Sequence, residues 1–307
     1  MIMMRVSDSV EGPIDEIPPT QLFWPDVLEY PLFLASPHSG RAYPSCFLKE
    51  SRLNHTTLRR SEDFCVDDLY DFAEAMNLPF LTAQFPRSFV DVNRSAAEID
   101  PALLFAGETI VPNTISKRVA NGLGVVPRMV GAGIEIYTES IGLQRLKQRL
   151  EQFHTPYHQT LSDSLSSIKQ QFGSVVLLDC HSMPDTVSTR PLATGKSFDI
   201  VLGDRYGASC HRDVTDAAEA CLSDLGYRVV RNDPYAGGYT TARYGKPQQG
   251  FHSLQIEINR RLYMDERRLR LTSGYDTLKS NLKIFVAEMC RVSTALSDSA
   301  ARYIAAE

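Results

Sequence analysis

Seven short apolar runs, separated by stretches of helical periodicity, constrain this chain more than any other feature. They are "PLFLAS" (31–36), "PFLTA" (79–83), "SFVDVN" (88–93), "SVVLLDC" (174–180), "DIVLG" (199–203), "YRVVRN" (227–232) and "SLQIEIN" (253–259). Runs this short suit strands buried on both faces, and their alternation with helices predicts an α/β sheet covered on both sides. The segment 141–171 places Leu143, Leu146, Leu150, Phe153, Tyr157, Leu161, Leu165 and Ile168 at intervals of three and four, the stripe of a core-facing helix. The segments 59–76, 208–224 and 275–298 are further helix candidates. No composition break or Gly/Ser-rich linker divides the chain. A single domain over 26–307 is therefore expected, behind a loose acidic, proline-bearing leader at 1–25.

Composition excludes several function classes. The net charge of −5, with pI near 5.8, offers no basic field for nucleic acid or an anionic membrane. No apolar run approaches the roughly 18 residues that span a bilayer. Asp8, Glu11, Asp15 and Glu16 are unlike a signal peptide. The six cysteines (Cys46, Cys65, Cys180, Cys210, Cys221 and Cys290) form no CxxC pair, which fits free thiols in a reducing cytoplasm. The expected partner is a small molecule, bound by a monomer or small homo-oligomer.

Several strands end in residues able to do chemistry. In doubly wound sheets, ligands sit beyond the carboxyl ends of the strands. The first run leads into "SPHSG" and His38; the third carries Asp91 and Asn93 before Arg94; the fourth ends in Asp179, Cys180 and His181. In "LQIEIN", Leu254, Ile256 and Ile258 alternate with Gln255, Glu257 and Asn259. Glu257 is thus a mid-strand carboxylate among apolar neighbours, an environment that raises a carboxyl pKa. Two histidines and an acid suit a catalytic zinc site, which uses three protein ligands and keeps one position open. The acid is expected from "RRSEDFCVDDLY", where a helix would put Asp63 and Asp67 on one face and Glu62 on another. Acids at a helix start also serve the helix dipole, and a turn histidine also serves as a plain hydrogen-bond donor, so pattern alone leaves the ligand set open. "HTPYH" gives His154 and His158 at i, i+4, but without the Glu of HExxH the pair reads as packed helical residues. His55 and His211 have no distinguishing surroundings. Neither a dinucleotide fingerprint, nor GxSxG, nor a P-loop occurs.

Taken in order, "SPHSGRAYP", "LRRSEDFCVDDLY", "PRSFVDVNR", "GLGVVPR", "PYH", "LLDCHSMP", "DIVLGDRYGASC", "NDPYAGGYTTARYG" and "HSLQIEINRRLYMDE" resemble the N-formylglutamate amidohydrolase (N-formylglutamate deformylase) family over about residues 30–270. The resemblance implies a mixed, largely parallel twisted sheet of the zinc-carboxypeptidase-like (phosphorylase/hydrolase-like) kind. It implies one Zn2+ per chain held by His38, Asp63 and His181, with Asp63 favoured over Glu62. The first metal motif departs from the carboxypeptidases, whose acid lies three residues after the histidine. Glu257 is implied as general base and acid, Asn93 and Arg94 as the clamp for one substrate carboxylate, and Asp179 as the residue orienting His181. Arg87, Arg128, Arg190 and Arg243 are candidates for a second carboxylate, with Tyr239 near the site. The implied reaction is hydrolysis of N-formyl-L-glutamate to formate and glutamate, at the end of a histidine-degradation route. Alternatives are a deacylase for another N-acyl amino acid or small peptide, and a catalytically silent binder of acidic amino acids.

Overall fold

Seven strands form the main sheet: β1 (Thr20–Phe23), β2 (Leu32–Ser36), β3 (Phe80–Ala83), β4 (Val175–Met183), β5 (Ile200–Gly203), β6 (Val229–Arg231) and β7 (Phe251–Asn259). They belong to a computed structural model that describes residues 9–110, 116–131, 133–188 and 197–304. The order across the sheet is β6-β5-β7-β4-β2-β3-β1. Strands β7, β4, β2 and β3 run parallel, whereas β5 and β6 oppose them on one side and β1 on the other. The carboxyl ends of the four central strands therefore open onto one edge.

Two apolar layers sandwich this sheet. On one face Leu34, Leu178, Cys180, Leu254, Ile256 and Ile258 pack with Leu282, Phe285 and Met289 of the long C-terminal helix, and with Val214 and Leu222. On the other, Phe33, Ala35, Leu81 and Leu177 meet Phe153, Tyr157, Leu161 and Leu165. Besides shorter pieces, the helices include α1 (Leu143–Arg149), α2 (Thr155–Phe172), α3 (Arg212–Asp224), α4 (Tyr239–Tyr244) and α5 (Gly274–Ile304). The predicted stripe over 141–171 holds, but Leu150–His154 between α1 and α2 is a π-turn. Pro156 explains it: proline has no N–H to donate and its ring crowds the carbonyl four residues earlier, which a wider turn relieves. Among the described residues no helix is long and apolar enough to cross a membrane. All six cysteines are free.

Three expectations need correction. Residues 88–93 are not a strand. Phe89 and Val90 both donate to the Pro86 carbonyl and Asp91 donates to Val125, so the segment is built of turns. Val90 and Val92 are nonetheless buried against the second apolar layer. Residues 59–76 are not one helix but three short pieces, His55–Arg59, Val66–Leu69 and Phe72–Ala75. The Asp63 amide donates to the His38 carbonyl at 3.0 Å and Cys65 adopts a left-handed φ of 56°, which together divert the chain from a continuous helix. The segment expected as a loose leader contributes structure from residue 10 onward. Val10–Gly12 pairs with Ala42–Pro44, and β1 closes the sheet against β3.

The loop after β2 leaves no room beside Gly40, where an added Cβ would sit 2.2 Å from the Phe85 carbonyl oxygen. Gly40→Ala must push the His38 loop off the β3 exit. We expect it to cost about 1–3 kcal/mol, read as a lowered midpoint in urea unfolding; an unchanged midpoint would show that the loop yields freely.

Candidate active site and metal centre

The parallel register of β4 and β7 decides what meets at the open edge. Glu257 lies directly opposite His181, and Gln255 opposite Asp179. Side chains alternate along each strand, so these four polar groups share one face while Cys180 and Ile256 enter the opposite core. His38 arrives on the loop after β2, and Asp63 on the turn that its amide ties to that loop.

His38, Asp63 and His181 form a buried triangle whose ligand atoms all lie within 4.8 Å of one another. Asp63 Oδ2 is 2.9 Å from His181 Nδ1 and 3.4 Å from His38 Nδ1. A tetrahedral zinc ion with bonds of ~2.0–2.1 Å needs donor atoms roughly 3.3 Å apart, which the two separations from Asp63 approach. His38 Nδ1 is buried with no hydrogen-bond partner, as befits a lone pair reserved for an ion. The Nε2 atoms face away from the triangle. That of His38 donates to Asp91 Oδ1 at 2.7 Å. That of His181 lies 3.1 Å from Asp179 Oδ2, off the line of a full hydrogen bond. Carboxylates behind both imidazoles are the arrangement that fixes ligating histidines.

The surrounding charges are strongly coupled. Burial alone would raise the Asp63 pKa, but the hydrogen bond from His181, with His38 and the Arg87 charge close by, holds it well below the usual carboxylate range. Asp91 is likewise held down against burial by His38, Arg87 and Arg94. Burial disfavours charge on His181, yet Asp179, Asp63 and Glu257 carry its pKa well above the ordinary imidazole value. Arg87 bridges Asp63 and Asp91, and Arg260 donates to the remaining Asp63 oxygen at 3.2 Å. Burial raises the pKa of Glu257, with the Asp63 charge adding to it and His181 opposing it. The Gln255 amide donates to Glu257 Oε1 at 2.7 Å.

A cavity of about 830 Å³ opens over this group, lined by His38, Asp91, Asn93, Arg94, His181 and Glu257 among others. A family model described as N-formylglutamate amidohydrolase matches residues 30–264. The chain belongs to the N-formylglutamate amidohydrolase family. Two relatives named N-formylglutamate deformylase come from Pseudomonas aeruginosa and Pseudomonas putida. They are 31% and 30% identical over 244 and 240 residues, covering 77% of this chain in each case and 83% and 82% of their own lengths. The crystal structure of N-formylglutamate amidohydrolase from Ralstonia eutropha has 33% identity and a TM-score of 0.82, over 93% of this chain and 99% of that one. A gene product of Agrobacterium tumefaciens shares the fold at 16% identity and TM-score 0.62, over 88% and 92%.

Within this N-formylglutamate amidohydrolase fold, the two acids of "SED" part company. Asp63 enters the triangle, whereas Glu62 accepts hydrogen bonds from Tyr43 and Arg59. Asp67 pairs with Arg41 elsewhere. Asn93 lies at the cavity with its Nδ2 3.3 Å from His181 Nε2. Of the arginines expected at a second carboxylate, Arg87 is at the wall but engaged by Asp63 and Asp91. Arg128 is away from the wall, paired with Asp100 and Glu135. Arg243 stacks on Tyr239 and Tyr244 and donates to the Tyr239 hydroxyl, and neither Arg243 nor Tyr239 lines the cavity. Arg190 lies outside the described residues. Reading the sequence missed Arg60, Arg118, Gln255 and Arg260, all of which line the cavity. For Gln255 the signal was present, since it shares the polar side of "LQIEIN" with Glu257; nothing local marked the arginines.

The metal-free protein tests this electrostatic core. The Asp63 and Asp91 pKa values are depressed by folding, so their stabilisation is complete above the unfolded value of about 4 and fades as pH falls through the folded values. Asp63→Asn removes the carboxylate shared by Arg87 and Arg260, leaving Arg87 with Asp91 and Arg260 with only the more distant Glu266. It should cost about 3–5 kcal/mol at pH 7 and flatten the acid limb of stability against pH in urea melts. A variant as stable as wild type would contradict this account.

Proposed function

We propose that this chain is a zinc-dependent amidohydrolase that cleaves N-formyl-L-glutamate to formate and L-glutamate. The observation that carries the reading is the register that puts Glu257 beside His181, so a carboxylate of raised pKa adjoins the His38–Asp63–His181 triangle. The names of the relatives supply the substrate.

His38, Asp63 and His181 would hold the ion. A bound divalent ion supplies an acidified water at neutral pH and polarises the carbonyl under attack. Glu257 accepts the proton of that water, and its raised pKa suits it to hand the proton on to the amine nitrogen as the C–N bond breaks. Gln255 holds one Glu257 oxygen, which leaves the other to exchange protons. The leaving group departs as the free amine of glutamate, and the formyl carbon leaves as formate.

Support for an acidic substrate comes from cations on the wall. Among the described residues, Arg94, Arg60 and Arg118 line the cavity without a carboxylate in ion-pair contact. Arg94 donates through Nε to Leu123 and through Nη1 to Asn93, both backbone carbonyls, so its fork is oriented but not neutralised. Burial lowers its pKa and the nearby charge of Arg118 adds to this, against the opposing charge of Asp91. The apolar stretch of wall formed by Leu123, Pro127, Met129, Val130 and Ile134 favours a second reading, hydrolysis of longer N-acyl groups.

Metal analysis coupled to formate release from a panel of N-formyl amino acids tests the reading, with N-acetyl and longer N-acyl glutamates testing the second. N-formylglutamate should be the best substrate, and metal-free enzyme should be inactive. Glu257→Gln should keep its metal while turnover falls about 10²–10⁴-fold; retained turnover excludes the proton role. Arg118→Ala should raise KM for N-formylglutamate by about ten- to a hundredfold with N-formylalanine little affected. Equal effects on both substrates would remove Arg118 from side-chain recognition.

A further inference from the structure

The "HTPYH" histidines take no part in the metal triangle, yet both are buried and both reach the same short segment. The π-turn at Leu150–His154 brings the two rings within 4.4 Å of each other, centroid to centroid. His158 Nε2 lies 2.9 Å from the Val92 carbonyl oxygen, and His154 Nε2 lies 2.9 Å from that of Arg94. The carbonyl between them, of Asn93, accepts from the Arg94 guanidinium at 2.8 Å. Three successive carbonyls outside any helix or strand are thus each held by a side chain.

A carbonyl can only accept, so each Nε2 must carry the hydrogen. The Tyr244 hydroxyl lies 2.9 Å from His158 Nδ1 and donates to the His158 carbonyl oxygen at 3.1 Å. Burial supports neutrality. It lowers the pKa of His158 to about 3, with the neighbouring His154 and Arg243 adding to it, and it lowers that of His154.

We infer that His154 and His158 are positioning residues that clamp the peptide groups on either side of the Asn93–Arg94 pair, aiming Asn93 at His181 and Arg94 into the cavity. The side chain of Asn93 is held as tightly as its backbone. Its Oδ1 accepts from the Thr240 amide at 2.9 Å, and a Cβ on Gly238 would lie 2.4 Å from its amide group. The Asn93 amide also donates to Asp91 Oδ1, the carboxylate behind His38. Helix α2 and its preceding π-turn therefore govern one whole wall of the site from behind. The alternative is that the histidines merely satisfy buried carbonyls, which any group of the right shape and polarity would do without touching function.

The inference rests on the reading that Arg94 receives a substrate carboxylate, and the test separates the two. A double-substitution cycle crosses His154→Leu with Arg94→Ala in the metal-loaded enzyme, read as kcat/KM for N-formylglutamate. His154→Leu alone should lose about ten- to a hundredfold, chiefly through KM and with full metal content, and His154→Gln, which keeps an N–H donor, should recover most of it. With Arg94 already alanine, His154→Leu should cost less than about twofold more. Additive losses, or a wild-type kcat/KM for His154→Leu, overturn the clamp. A crystal structure of metal-free His154→Leu decides independently of the substrate. The Asn93–Arg94 backbone should move by about 1 Å, and an unmoved segment overturns the proposal even if N-formylglutamate proves not to be cleaved. A wild-type enzyme inactive on the whole panel counts against the function alone.

Discussion

Burying Asp63 among two imidazoles and two guanidiniums is the constraint on which the rest of this structure depends. A carboxylate so completely removed from water is tolerable only with several partners at once, and each comes from a different part of the chain. His38 is supplied by the β2 exit, His181 by β4, Arg87 by the turn after β3, and Arg260 by the end of β7. Four sheet strands or their exits are therefore stitched at one point, and that point is the candidate metal centre.

The charge balance of this cluster says why a cation belongs there. With Glu257 ionised, the carboxylates of Asp63, Asp91, Asp179 and Glu257 face the guanidiniums of Arg87, Arg94 and Arg260, an excess of one negative charge while both imidazoles are neutral. That excess shows in His181, whose pKa Asp179, Asp63 and Glu257 raise against burial. A divalent ion held by the triangle would turn the local charge positive, an environment suited to anionic groups. Ligand triangle and cationic wall are thus one electrostatic unit.

Sheet geometry supplies the precision. Glu257 and His181 are partners in a parallel ladder, so their spacing is set by backbone hydrogen bonds rather than by loop conformation. The opposite wall, from Asp91 to Arg94, has no ladder and is instead pinned by His154 of the π-turn, His158 of α2 and the Thr240 backbone amide of α4. Rigid strands present His181 and Glu257; a buttressed turn segment presents Asn93 and Arg94.

The α/β class, the central strands, the helix stripes and the polar faces of "LLDCHS" and "LQIEIN" were legible in the sequence. They follow from periodicity, a local property that burial imposes on each element. Periodicity misled at 88–93, where buried valines alternate with polar residues in turns, and at 59–76, where apolar spacing survives a broken helix. The choice of Asp63 over Glu62 was open to a reading of residues alone, because adjacent acids are separated only by which of them the His38 loop captures. The same holds for the arginines. Whether Arg128 or Arg118 faces the cavity depends on Asp100 and Glu135 claiming the first and nothing described claiming the second. By itself the sequence determined which elements form and which faces carry polar groups. Only the tertiary structure decided which of those groups meet, because long-range pairing of charges is a property of the packed chain and leaves no local period to read.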